Sequence, residues 1–125
     1  MADSQGPGSF PLGVDLVEMK KAKVLYQNHR DHLDSFFNPQ EISQIRKAAK
    51  PHEKMAALLA AKEAIFKALP TTSIGLLNFR DISLSATALK KLGLEVIVVR
   101  KKNYVVATCE AASTGAQASK HPVMG

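Results

Sequence analysis

The sequence predicts an α+β domain in which a mostly antiparallel sheet packs against one long central helix. Three observations lead there. Apolar alternating or β-branched runs lie near both ends of the folded stretch, "PLGVDLVEM" early and "LEVIVV" with "YVVATCE" late. The late pair is joined only by "RKKN", a hairpin-length connection that makes those strands antiparallel. Between the early and late runs lie segments with helical start and stop signals. The resulting element order, βαααβαββ, belongs to the α+β class.

The elements follow in order. Residues 1–9 are small, polar and rich in Gly and Pro, and read as a disordered arm. The folded domain is expected over 10–111, and residues 112–125 read as a flexible tail. In the first strand, Leu12, Val14 and Leu16 point one way and Gly13, Asp15 and Val17 the other, with the Leu16 side expected to face the core. "KKAKVLYQNHRDHL" reads as a basic amphipathic helix. "NPQEISQIRKAAK" opens with Asn38 as N-cap, Pro39 at the first helical position and Glu41 three residues after the cap, and Pro51 is expected to end that helix. The next helix is expected from about His52 to Leu69, stopped by Pro70. "FRDISLS" reads as a strand, and "TALKKLG" as a short helix ended by Gly93.

The central helix carries the question of function. Twelve of the fifteen residues from Met55 to Leu69 are apolar, and the three others are Lys62, Glu63 and Lys67. At about 100° per residue, Met55, Leu58, Leu59, Ile65, Phe66 and Leu69 form one broad stripe with Lys62 inside it. Glu63 and Lys67 lie together on its flank. The opposite face is alanine-rich, which permits close approach by another backbone. Such a helix is largely buried, and its charges need partners. Two explanations are open. Glu63 and Lys67 sit at i, i+4 and can pair, while the Lys62 stem snorkels outward. Alternatively, lysines hold an anionic ligand and a hard metal bridges it to Glu63 and to a second carboxylate, for which Asp15 is the candidate. Asp15 also reads as a polar residue on the wet face of an edge strand, and spacing does not separate the two.

Composition narrows the partners. The 125 residues carry a net charge of +6, which favours an acidic partner. The single cysteine, Cys109, makes no internal disulfide and belongs to no zinc-like spacing, which fits a reduced, cytoplasmic setting. The opening lacks the regions of a signal peptide, and no apolar run reaches membrane-spanning length. With no tryptophan, few aromatics and no recognised motif, nucleic-acid binding is poorly supported.

"GVDLVEMKK", then "AAKEAIFKAL", then "FRDI" together resemble the holo-acyl-carrier-protein synthase family, the small 4′-phosphopantetheinyl transferases. The matching positions are Gly13, Asp15 and Glu18; Ala60 to Ala68; and Phe79, Asp81 and Ile82, with "NYVVAT" resembling the closing strand. The resemblance implies transfer of the phosphopantetheine arm of coenzyme A, a substrate, to a serine of an acidic acyl carrier protein. It implies Mg²⁺ held by Asp15 and Glu63, Glu63 helping to deprotonate the serine, and Lys67 on a pyrophosphate oxygen. Lys62 would orient Glu63 or reach the ligand. It further implies a homotrimer with coenzyme A between subunits, a place in fatty acid biosynthesis, and carrier contacts from Lys20 and Lys21, beside Lys23. Arg46, Lys47 and Lys50 form a second basic cluster. Either cluster also reads as a solvated helix face.

The chain departs from the family pattern at four places. Ala57, Leu58 and Leu59 replace G-R-F; "PTTSIG" replaces the glycine-rich turn; the G-K-P segment is absent; and Arg100 stands at the slot of a histidine. Arginine binds phosphate well but is no base, so Arg100 is a candidate for the 3′-phosphate of coenzyme A. The alternative function is a non-catalytic relative that binds coenzyme A or a carrier protein.

Overall fold

A computed structural model describes residues 11–70 and 78–112. The expected arm, the residues of the tail beyond Ala112 and all of "PTTSIG" after Pro70 lie outside the described residues.

Strand β1 (Gly13–Glu18) leads into helix α1 (Met19–His29). A 3₁₀ turn at Leu33–Ser35 precedes α2 (Pro39–Lys47) and α3 (Pro51–Ala68). A second 3₁₀ turn at Phe79–Asp81, helix α4 (Ala86–Leu92), β2 (Leu94–Arg100) and β3 (Tyr104–Ala111) complete the order. The sheet runs β1-β3-β2 and is antiparallel throughout. Asp15 stands opposite Ala107, which stands opposite Val98. The α+β class and the central helix are as the sequence predicts.

Local signals account for the helix ends. Asn38 Oδ1 accepts from Glu41 N and Glu41 Oε1 accepts from Asn38 N, a complete capping box at the start of α2. Gly93 closes α4 at φ +69°, a left-handed conformation that glycine adopts without a Cβ penalty. Helix α2 stops at Lys47, before Pro51, which instead opens α3 at its first turn.

Helix α3 lies across one face of the sheet and supplies most of the core. Met55, Ala56, Ala60, Ala64 and Ile65 are all buried, as are Val105, Ala107 and Cys109 of β3 beneath them. The alanine face does admit a backbone. A Cβ added at Gly13 would overlap the carbonyl oxygen of Ala64 and come within 3.0 Å of Ala68 N. Glycine is therefore what lets β1 lie directly on α3.

That contact overturns the expected facing of β1. Gly13, Asp15 and Val17 turn inward, and Leu12, Val14 and Leu16 are exposed. Apolar residues occupy both faces, so alternation alone does not choose; the close approach at Gly13 does. "FRDISLS" is also not a strand. Asn78 Oδ1 accepts from Arg80 N, and Ile82 N donates to Phe79 O, so the stretch starts as a 3₁₀ turn.

Candidate active site

The seam between β1 and the C-terminal half of α3 gathers three of the sequence-predicted residues. Lys67 Nζ lies 3.0 Å from Asp15 Oδ1 and 3.2 Å from Val14 O. The ion pair expected within the helix is thus not the one formed: among the described residues, the carboxylate within salt-bridge reach of Lys67 is Asp15, not Glu63. Because Asp15 turns inward, its side chain is only 15% exposed while that of Lys67 is 50% exposed. Asp15 is therefore no wet-face residue.

Glu63 is half-buried on the same flank. Burial raises its carboxyl pKa above the ordinary 4.5, the Asp15 carboxylate raises it further, and Lys67 acts in the opposite direction. Lys67 offsets only one of these two neighbouring carboxylates, and the uncompensated negative charge suits a cation. Among the described residues no group of three or more His, Cys, Asp or Glu gathers to hold a metal. Two carboxylates suit Mg²⁺, which keeps several waters and takes its other ligands from substrate phosphates.

Glu63 also opens onto an apolar cavity of about 320 Å³, with Leu25, His29, Leu33, Phe37 and Phe79 among its walls. The carboxylate thus stands between the Asp15 seam and an apolar chamber.

Lys62 is placed otherwise than expected. It does not snorkel: its side chain is 0% exposed, and its ammonium donates to Glu41 Oε1 at 2.7 Å and to Arg80 O at 2.9 Å. Burial lowers its pKa, and the hydrogen bond and charge of Glu41 oppose that shift. An ammonium so enclosed has no open path to a ligand. Glu41 is the residue that sequence reasoning missed as a partner. It appeared only as a capping residue, although the lone charge of Lys62 within an apolar stripe did call for a buried anion.

Arg100 is not brought to this seam within one chain. It sits at the end of β2, roughly 12 Å from Asp15 along an ideal sheet. There it lines a second cleft of about 550 Å³ with Lys54, Leu58, Leu84 and Val96, on the flank of α3 opposite Glu63. Lys20 and Lys21 are exposed on α1 and share a shallow surface with Val24 and Asn28. No helix of the described residues is long and apolar enough to cross a membrane.

Comparison with known proteins bears on this geometry. Residues 11–114 match the family model of the 4′-phosphopantetheinyl transferase superfamily. A holo-[acyl-carrier-protein] synthase of Clostridium kluyveri is 32% identical over 98 residues, 78% of this chain and 70% of that protein. One from Clostridium perfringens is 34% identical over 80 residues, 64% of this chain and 59% of that protein, so the match covers less than two thirds of its length. Among solved structures, holo-[acyl-carrier-protein] synthase from Neisseria meningitidis superposes with a TM-score of 0.62 at 23% identity, covering 83% of this chain and 100% of that one. The Bacillus anthracis synthase, solved with CoA (3′,5′-ADP), gives 0.60 at 20% identity, covering 81% and 95%. At these identities the structures establish the shared fold.

Proposed function

The chain belongs to the 4′-phosphopantetheinyl transferase superfamily, and from that premise we propose that it is a holo-acyl-carrier-protein synthase. It transfers the phosphopantetheine arm of coenzyme A to a serine of an acyl carrier protein. The observation that carries the reading is the meeting of Asp15, Glu63 and Lys67, from motifs far apart in sequence, at one seam beside a cavity.

Asp15 and Glu63 would hold Mg²⁺, which when bound offsets charge on the pyrophosphate. Lys67 keeps Asp15 aimed at the seam and, being half-exposed, can turn one donor to a pyrophosphate oxygen. Glu63, half-buried on the same flank, accepts the proton of the attacking serine directly or through a water. The serine oxygen forms a bond to phosphorus, the bond to adenosine 3′,5′-bisphosphate breaks, and that group leaves. Lys62, enclosed by Glu41 and Arg80, is not assigned a contact with coenzyme A.

The partner is an acidic carrier protein that meets the exposed Lys20 and Lys21 of α1. The outer sheet face supports a homotrimer. Leu12, Val14, Leu16, Ile97, Val99 and Tyr104 are all exposed there, a patch that a neighbouring copy would cover. Assembly would also let Arg100 of one protomer reach the 3′-phosphate of coenzyme A bound at another. The setting that goes with this reading is cytoplasmic fatty acid synthesis.

The test is incubation with coenzyme A, Mg²⁺ and a panel of apo acyl carrier proteins, read by mass spectrometry. A gain of one phosphopantetheine group on a carrier supports the reading. Coenzyme A binding with no gain on any carrier points to the non-catalytic relative, with the missing glycine-rich turn, G-K-P segment and histidine as the losses behind it.

A further inference from the structure

We propose that Glu41 is a positioning residue for Glu63, acting through Lys62. The inference rests on the reading above and deepens it.

Helix α3 presents Glu63 at an angle fixed on both sides. Neighbouring helical residues project about 100° apart, so Lys62 flanks Glu63 on one side and Ala64 on the other. The backbone carbonyl of Ala64 lies against Gly13, on the same strand as Asp15. Lys62 is tied at 2.7 Å to Glu41 of α2 and at 2.9 Å to the Arg80 carbonyl. Both members of the ion pair are enclosed, with side chains 0% and 6% exposed. Rotating α3 to misdirect Glu63 would break one anchor or the other.

The same cluster builds the chamber beside Glu63. The Lys62 ammonium lies 5.6 Å from the Phe37 ring centre and 5.7 Å from that of Phe79, and both rings line the Glu63 cavity. Phe79 opens the 3₁₀ turn whose Arg80 carbonyl Lys62 holds. Glu41 is itself fixed, because its Oε1 accepts from Asn38 N in the capping box. Among the described residues Glu41 Oε2 and Arg80 Nε are buried without partners, so the cluster is not saturated there. A purely packing element would be better served by apolar side chains.

The test is the double variant Glu41→Gln/Lys62→Met. Glutamine keeps the capping box, and removing both charges leaves neither one buried alone. Mn²⁺ affinity is measured in the presence of coenzyme A by water-proton relaxation, beside a melting curve and the carrier transfer assay. The expected result is Mn²⁺ affinity lowered about 10–100-fold with the melting temperature close to wild type. Unchanged affinity would overturn the inference, and so would a wild type that binds no Mn²⁺. Should the double variant not fold, Glu41→Asp, which keeps both charges and shortens the tether to Lys62, is read the same way. The wild-type transfer assay is judged separately: a wild type that transfers nothing, yet binds Mn²⁺ in a Glu41-dependent manner, sinks the transfer reading and keeps this one.

Discussion

Lys67 Nζ stands 3.0 Å from Asp15 Oδ1, joining the last turn of α3 to the middle of β1. A carboxylate that would otherwise face the core is held at its rim. Changing Lys67 to Met removes that hold and the donor proposed for pyrophosphate. With the lysine half-exposed, the stability loss should stay below about 1 kcal/mol. Transfer should fall by about 10²-fold or more, as for loss of an electrostatic stabiliser. Steady-state kinetics beside a urea titration checks both; a proportionate loss of stability and activity would argue for a structural pair only.

The environment of Glu63 makes a titration prediction. Its carboxyl should titrate above 4.5 in the folded protein, because burial and the Asp15 charge both disfavour ionisation. Asp15→Asn should move the midpoint down, and Lys67→Met should move it up. The linkage has a sign as well. With the folded pKa raised, Glu63 favours folding most fully below the unfolded value, and that contribution is lost as pH rises through the folded pKa. Carbon-detected NMR of the glutamate carboxyls, without metal, reads the midpoints directly. A Glu63 midpoint that ignores Asp15→Asn would separate the two carboxylates.

Gly13→Ala tests the contact that faces β1. The added methyl meets the Ala64 carbonyl, which is backbone and cannot swing aside. Overpacking of this kind typically costs about 1–3 kcal/mol, and the shift should carry Asp15 away from Glu63. The expected outcome is a lower melting temperature together with reduced transfer. A variant that melts and works like wild type would mean that the strand does not lie on the helix as described.

The exposed sheet face makes a prediction about assembly. Val14 and Ile97 share one row across the sheet, through Thr108. Ile97→Glu should leave the fold intact and convert a trimer to monomer in sedimentation velocity, with coenzyme A binding weakened. A wild type that sediments as a monomer would remove the trimer from the account.

Much of this was legible in the sequence, for reasons that particular residues illustrate. The capping box at Asn38 and Glu41, the glycine stop at Gly93 and the hairpin at "RKKN" are local signals, and the structure follows them. Asp15, Glu63 and Lys67 stand out in the sequence as charges inside apolar runs, which demand partners, but spacing does not show that Lys67 pairs with Asp15. The misread features depend on distant contacts. The inward face of β1 was decided by Ala64, which lies beyond any local window. The strand expected over "FRDISLS" gives way to the Asn78 cap and to Lys62 on the Arg80 carbonyl. The partner of Lys62 lies 21 residues earlier, where its capping role concealed it.

On the proposed reading, Glu63 takes part in transfer rather than in packing. Glu63→Gln keeps the shape and removes both the charge and the proton acceptor. The direct measurement is phosphopantetheine transfer by purified wild type and Glu63→Gln to the same apo carrier, read by mass, with a melting curve for each. The expected result is an active wild type and a variant with transfer abolished, the two melting alike. A variant that melts alike and still transfers at the wild-type rate would contradict it.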